Sequence, residues 1–162
     1  MNVPHKKLIE VALPFQAINR ESVRESYIYK GNPSSIHKWW AQRPLAACRA
    51  VLFASIVDDP SSHPDLFPTE EAQDRERQRL FRIIEELVRW ENSNNEQVLN
   101  AASAEIMKAT NGKPSPMLDP PCGGGSIPLE AQRLGLEAGF DVVSDLPALA
   151  GSARPLGAGS HP

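Results

Sequence analysis

Apolar residues recur every three or four positions over much of the first 110 residues, which is the spacing of one helix face. Prolines and polar residues mark where these segments begin, and glycine, asparagine or proline residues mark where they end. The segment from 45 to 57 is apolar on nearly all sides, which is typical of a buried helix. The pattern predicts helices over 4–13, 14–27, 45–57, 70–91 and 95–110.

The pattern changes after Gly112. A short apolar segment ends in Asp119, and the chain then passes through three consecutive glycines and enters a helix that Gly135 is expected to close. Glycine takes positive φ without a Cβ penalty and lets a backbone approach a ligand closely. The N–H groups at a helix start attract polar or anionic ligand atoms. The segment therefore predicts a ligand-binding turn within a β-loop-α unit.

Two common ligand classes do not fit this turn. A phosphate-binding P-loop needs Lys followed by Ser or Thr after its last glycine, but Ser126 and Ile127 follow here. A dinucleotide fingerprint needs a glycine at the position that Pro128 occupies. Binding of ATP, GTP or a dinucleotide at this turn is therefore not expected.

An acid at the strand end followed by Cys-Gly-Gly-Gly resembles the S-adenosylmethionine-binding motif of amino-group DNA methyltransferases. In those enzymes Asp-Pro-Phe-x-Gly-x-Gly closes the first strand of a Rossmann-like sheet, and this chain has Pro121 in place of the phenylalanine. A second acid, after the next strand, binds the ribose hydroxyls. The residues that the resemblance places at the cofactor are Asp119, Pro121, Cys122, Gly123, Gly125 and, for the ribose, Asp145.

The resemblance extends beyond the turn. Three blocks, residues 7–14, 37–50 and 118–136, together look like the start of a family of large bacterial and archaeal proteins described as adenine-specific DNA methylases, whose N-terminal region is DUF1156. The resemblance covers roughly residues 5–60 and 115–138. It implies methyl transfer from S-adenosylmethionine to the exocyclic nitrogen of a flipped adenine, with DNA as the partner.

One element of that family is absent from the sequence. Amino-methyltransferases hold the target amine with an (Asp/Asn/Ser)-Pro-Pro-aromatic tetrad, and this chain contains none. The segment from Asp119 to Cys122 begins like such a tetrad but lacks the aromatic residue. We therefore expect no catalytic residue here and interpret the chain as an N-terminal fragment of an adenine-N6 methyltransferase that is inactive alone.

The distribution of charge leaves a second function open. Residues 1–50 hold eight Lys/Arg and three Asp/Glu, a net charge of +5, so the remainder carries −8. Six cations from Arg20 to Arg49 alternate with Tyr and Trp residues, a mixture found on nucleic-acid-binding surfaces and also on solvated helices with core aromatics. The alternative function is a non-catalytic nucleic-acid or partner-binding module, with candidate contacts at Arg24, Lys38, Trp39 and Arg43.

The remaining composition excludes several other classes. No apolar run approaches the ~20 residues that span a bilayer, and the first residues lack the apolar stretch of a signal peptide, so we expect a cytoplasmic protein without a membrane partner. The two cysteines form no Cys-x-x-Cys pair, and the four histidines are scattered. No disulfide and no metal site are predicted.

The end of the chain departs from the family pattern. After Leu146 the family continues with Asn-Pro and an apolar helix, whereas this chain is rich in Ala, Gly, Pro and Ser. Such a segment buries little, so we expect it to be disordered and interpret it as an out-of-frame tail. The predicted fold is a mostly α N-terminal region followed by an incomplete α/β Rossmann-like core. Its parts are a helical DUF1156-like region at 1–112, a partial cofactor-binding segment at 113–146 and a tail at 147–162.

Overall fold

The computed structural model describes residues 5–28, 43–119 and 123–139. This part of the chain is mostly helical and contains one short two-stranded parallel sheet. Asp145 and the predicted tail lie outside the described residues. The described elements, in chain order, are α1 (Leu8–Val11), α2 (Phe15–Glu25), α3 (Leu45–Ile56), α4 (Glu70–Val88), α5 (Glu96–Ala109), β1 (Met117–Leu118), α6 (Ser126–Arg133) and β2 (Ala138–Gly139).

The predicted helices over 14–27, 45–57, 70–91 and 95–110 are confirmed as α2 to α5, with ends that differ by up to three residues. The first predicted helix, over 4–13, is wrong in length, because only the single turn of α1 forms. Before that turn Lys7 is extended and forms an antiparallel bridge with Asp58. The backbone at Lys7, which was predicted to be helical, therefore pairs with the chain after α3 instead.

Helix α3 lies at the centre of the fold and packs against α1, α2, α4, α5 and α6. Its side chains are apolar on nearly all sides, as expected for a helix that is surrounded by others. Phe53 is fully buried in the core that α3 shares with its neighbours. Each of those neighbours adds buried apolar side chains, among them Leu8, Ile84, Leu87, Ile106, Ala131 and Leu134.

Polar side chains cap the helices. Thr69 Oγ1 accepts a hydrogen bond from the Ala72 N–H at 3.2 Å, which confirms the predicted start of α4. The start of α3 is capped from a distance: the carboxylate of Glu25, on α2, accepts hydrogen bonds from the N–H groups of Leu45 and Ala46, both at 3.0 Å. A buried anion at this end suits the helix dipole and fixes α2 against α3.

The two strands are parallel, with Met117 opposite Ala138 and Leu118 opposite Gly139, and α6 connects them. The predicted β-loop-α unit is therefore present and is followed by a second strand. Two short strands do not by themselves establish a Rossmann-like sheet, so that part of the prediction stays a prediction. No helix among the described residues is both long and apolar enough to cross a membrane.

Candidate functional site

The glycine turn lies between β1 and α6. Asp119 directly follows β1, and its N–H donates to the carbonyl of Gly139 at 3.1 Å, which continues the pairing with β2. Gly123 and Gly125 have φ values of 54° and 75°, in the left-handed region that favours glycine. A Cβ on Gly125 would meet nothing within 4 Å, so the backbone at the start of α6 borders open space.

The structure thus places three of the predicted cofactor residues, Asp119, Gly123 and Gly125, in one turn between a strand end and a helix start. The others, Pro121, Cys122 and Asp145, lie outside the described residues. The first-turn N–H groups of α6, like those of any helix, have no partner within the helix itself.

The far end of α6 is fixed by a glycine, as predicted. Gly135 has φ 78°, and its N–H donates to the Gln132 carbonyl at 3.0 Å. The N–H of Leu136 donates to the Ala131 carbonyl, also at 3.0 Å. This pair of hydrogen bonds is a Schellman motif. It turns the chain from α6 back into β2 and so sets the position of the second strand.

A buried ion pair joins α6 to α3. Arg49 Nε lies 2.7 Å from Glu130 Oε2, and both side chains are fully buried. The two atoms form an ion pair, but their geometry does not make a hydrogen bond. The rest of the guanidinium donates to the carbonyl of Leu87 at 2.8 Å and to Ser93 Oγ at 3.1 Å. Arg133 donates to the second carboxylate oxygen of Glu130 at 2.6 Å. The helix that begins at the glycine turn is thereby held against the centre of the fold.

Burial is the largest cause of the pKa shifts in this part of the fold. It raises the pKa of Glu130, although the charges of Arg49 and Arg133 oppose the shift, and it lowers the pKa of Arg49. Burial also raises the pKa of the Cys48 thiol to about 12, with further contributions from the charges of Glu130 and Glu25. Cys48 is thus a thiol at neutral pH and is not a candidate nucleophile.

The candidate nucleic-acid residues are only partly described. Arg24 is half exposed on α2, and Arg43 is exposed just before α3. Arg24 forms a close ion pair with Glu91 and lies 3.3 Å from Glu21 Oε2. Lys38 and Trp39 lie outside the described residues. Arg49 is the last of the six cations between residues 20 and 49. It is buried against Glu130, so it does not contribute to a positively charged surface as the sequence indicated.

The structure brings together a second group of polar residues that the sequence analysis did not identify. His5, Asp58 and His63 each present a ligand-type atom within 4.8 Å of the others. The four histidines are scattered along the sequence, and 58 positions separate His5 from His63, so no metal site was predicted. The bridge between Lys7 and Asp58, which brings them together, has no signal in the sequence.

Comparison with known proteins supports one part of the sequence analysis. Residues 12–83 match the model of the family described as protein of unknown function (DUF1156). The match includes α2, α3 and most of α4, and it ends before the glycine turn. No curated protein and no solved structure matches the chain. The predicted resemblance to DUF1156 is thus supported over these residues, whereas the predicted bounds of 1–112 and the resemblance to DNA methylases stay predictions.

Proposed function

We propose that this chain is the N-terminal part of an S-adenosylmethionine-dependent DNA adenine-N6 methyltransferase, to which it contributes a cofactor-binding turn and no catalytic residue. The observation that carries the proposal is the parallel β1-loop-α6-β2 unit, with Asp119 at the end of β1 and a left-handed Gly125 at the start of α6. An acid and a glycine turn in these positions suit the cofactor's methionine end.

The chemistry of that end matches the turn. The methionine part of S-adenosylmethionine carries both a carboxylate and an ammonium group. The N–H groups of Ser126 and Ile127 belong to the first turn of α6, where a helix has no partner of its own for them, so they suit a carboxylate whose charge the helix dipole favours. The carboxylate of Asp119 accepts from an ammonium group. One short loop therefore offers a partner for each charged group.

Calorimetric titration of the full chain with S-adenosylmethionine tests the proposal. We expect weak binding, with a dissociation constant above the micromolar range, because the described sheet has only two strands to cover the adenine ring. Asp119→Asn and Gly125→Ala should each weaken it by about tenfold or more, a loss of at least ~1.4 kcal/mol.

Gly112→Ala is the matched control. Gly112 has φ 74°, and a Cβ there also meets nothing within 4 Å, so the local strain is the same as at Gly125. The control should bind the cofactor as the wild type does. Absence of binding at millimolar cofactor, or equal losses in the Gly112 and Gly125 variants, would contradict the proposal.

The alternative, a non-catalytic nucleic-acid or partner-binding module, predicts no affinity for S-adenosylmethionine. The described helices give it less positive surface than the sequence indicated, because Arg49 is buried and Arg24 is paired with acids. DNA binding that falls steeply with salt, in a chain that does not bind the cofactor, would favour this alternative.

A further inference from the structure

Two imidazoles and a carboxylate meet where the chain before α1 pairs with the chain after α3. His63 Nε2 lies 3.1 Å from Asp58 Oδ2, and His5 Nδ1 lies 3.8 Å from the same oxygen. The two imidazole rings stack edge to face, with centroids 5.3 Å apart. Three ligand-type atoms on residues distant in sequence thus converge on one small region.

Hydrogen bonds between two backbone segments fix this arrangement. The N–H of Leu8 donates to the Val57 carbonyl and that of Asp59 to the Lys6 carbonyl, both at 2.9 Å. The hydroxyl of Ser62 accepts from the Lys6 N–H at 2.7 Å and donates to the Lys6 carbonyl at 2.9 Å. His5 directly precedes the first of these hydrogen-bonded segments and His63 directly follows the second, so the backbone next to each histidine is held in place.

A buried acid next to Asp58 stabilises the same pair of backbone segments. Asp59 is fully buried, and its carboxylate accepts from the Arg77 guanidinium at 2.9 and 3.0 Å. It also accepts from the N–H of Ser61 at 3.0 Å, which caps the short 3-10 turn Pro60–Ser62. The residue next to Asp58 is therefore immobilised, and the turn that leads to His63 is closed.

The carboxylate of Asp58 is oriented by a lysine. Lys7 Nζ donates to Asp58 Oδ1 at 2.6 Å and to the Ile56 carbonyl at 2.8 Å. This leaves Oδ2 as the oxygen that faces both histidines. Carboxylates that bind metals commonly have their second oxygen held in this way by an outer partner.

We propose that His5, Asp58 and His63 form a binding site for a divalent transition-metal ion of the zinc type. Imidazole nitrogens favour zinc and its neighbours over magnesium or calcium. Ligands about 2.1 Å from a tetrahedral zinc lie roughly 3.4 Å apart, so the observed 3.1 and 3.8 Å require only small shifts. The side chain of His5 is 62% exposed and is free to make them.

Three protein ligands leave a coordination position for water or a further ligand. The same three residues line a pocket of about 450 Å³ together with Lys7, Glu76, Leu80 and Lys108. The site is open on the side of the two histidines, of which His63 is 36% exposed. It is formed by elements other than the glycine turn, so it constitutes a second binding site of the chain.

Cobalt(II) and zinc added to the chelator-treated full chain test the proposal. We expect one cobalt ion per chain, a visible spectrum of nitrogen and oxygen ligands, and displacement by zinc. Loss of an outer partner of a metal ligand typically weakens metal binding by about 10- to 100-fold. His5→Ala and His63→Ala remove a ligand itself, so each should weaken the binding of cobalt at least as much. Zinc should raise the melting temperature of the wild type and not that of these variants.

Matched controls separate this site from other ligands in the chain. His37→Ala, His161→Ala, Cys122→Ser and Asp119→Asn should bind cobalt as the wild type does. A thiolate charge-transfer band, or a loss of binding in one of these controls, would overturn the proposal. Failure of the wild type to bind either metal at a 1:1 ratio would also overturn it. Circular dichroism verifies that the histidine variants are folded.

A charge substitution decides whether the occupant is a cation. Asp58 supplies the negative charge of the site, and its removal in Asp58→Asn should weaken the binding of zinc because an attraction is lost. An anionic ligand in the same pocket would bind more tightly to that variant. If zinc binding does not weaken in Asp58→Asn and inorganic phosphate binds to the wild type instead, the pocket is an anion site and the proposal fails.

Discussion

Arg49 Nε and Glu130 Oε2 lie 2.7 Å apart in a fully buried ion pair that joins the central helix α3 to the helix of the glycine turn. Arg49 belongs to the segment that matches DUF1156, and Glu130 lies well beyond it. Ala131 of α6 and Leu134, which directly follows the helix, belong to the same apolar core as the residues of α3. Within the described residues, the position of the glycine turn therefore depends on the helices of the matched segment.

Removing one member of this pair should be costly. Arg49→Met leaves the Glu130 carboxylate without its partner on α3, and the loss of one partner of a buried pair typically costs about 3–5 kcal/mol. The double variant Arg49→Met with Glu130→Met should recover part of that loss, because no fully buried charge then remains and the Arg133 guanidinium that also contacts Glu130 is 25% exposed to water. Urea unfolding of the two single variants and the double variant measures the coupling as a double-mutant cycle.

The exposed pair of Arg89 and Glu86 is the control for this cycle. Its side chains are 49% and 46% exposed, so Arg89→Met should change the free energy of unfolding by less than about 1 kcal/mol. Equal effects at Arg89 and Arg49 would show that the buried pair does not hold α6 in place.

Stability should depend on pH through the contact of Asp59 with Arg77. Burial alone would raise the pKa of Asp59, but hydrogen bonds from Arg77 and Ser61 outweigh it and lower the pKa. A lowered carboxyl pKa stabilises the fold above the unfolded value of about 3.9, and this contribution is lost as the pH falls through the folded value. The difference in unfolding free energy between wild type and Asp59→Asn should be large at neutral pH and shrink in acid.

Asparagine retains the cap of the short turn, so this substitution removes mainly the charge. Urea unfolding at several pH values between 7 and 3 measures the difference, with the exposed Asp65→Asn as a control that should have little effect throughout. A difference for Asp59→Asn that is independent of pH would contradict the proposed role of the ion pair.

The thiol of Cys48 should be inert in the native chain. Burial raises its pKa to about 12, so little thiolate forms at pH 8, and the side chain is shielded from reagents. In a Cys122→Ser variant, labelling by a thiol reagent should proceed at the ordinary rate in urea and only through unfolding in native buffer. Rapid native labelling would show that α3 is more accessible than the structure indicates.

The sequence predicted those elements that depend on local signals. The helix predicted over 70–91 begins where Thr69 caps it, and Gly135 ends α6 as expected, because both residues act on backbone within a few positions. Contacts between distant segments were missed, since no periodicity reports them. The burial of Arg49 depends on an acid 81 positions later, and the cluster at Asp58 depends on how the first residues pair with the end of α3.

The two glycines Gly112 and Gly135 allow backbone strain to be separated from crowding. Both have left-handed φ, 74° and 78°, so alanine at either position should cost roughly 1–2 kcal/mol. A Cβ at Gly135 would also lie 3.2 Å from Ser103 Oγ on α5, whereas one at Gly112 meets nothing within 4 Å.

Gly135→Ala should therefore destabilise the chain more than Gly112→Ala, and adding Ser103→Ala should remove the excess but not the shared cost. Thermal or urea unfolding of the three variants measures both parts. If Ser103→Ala gives no recovery, the contact between α5 and the end of α6 is looser than the structure shows, and the strain at φ accounts for the whole effect.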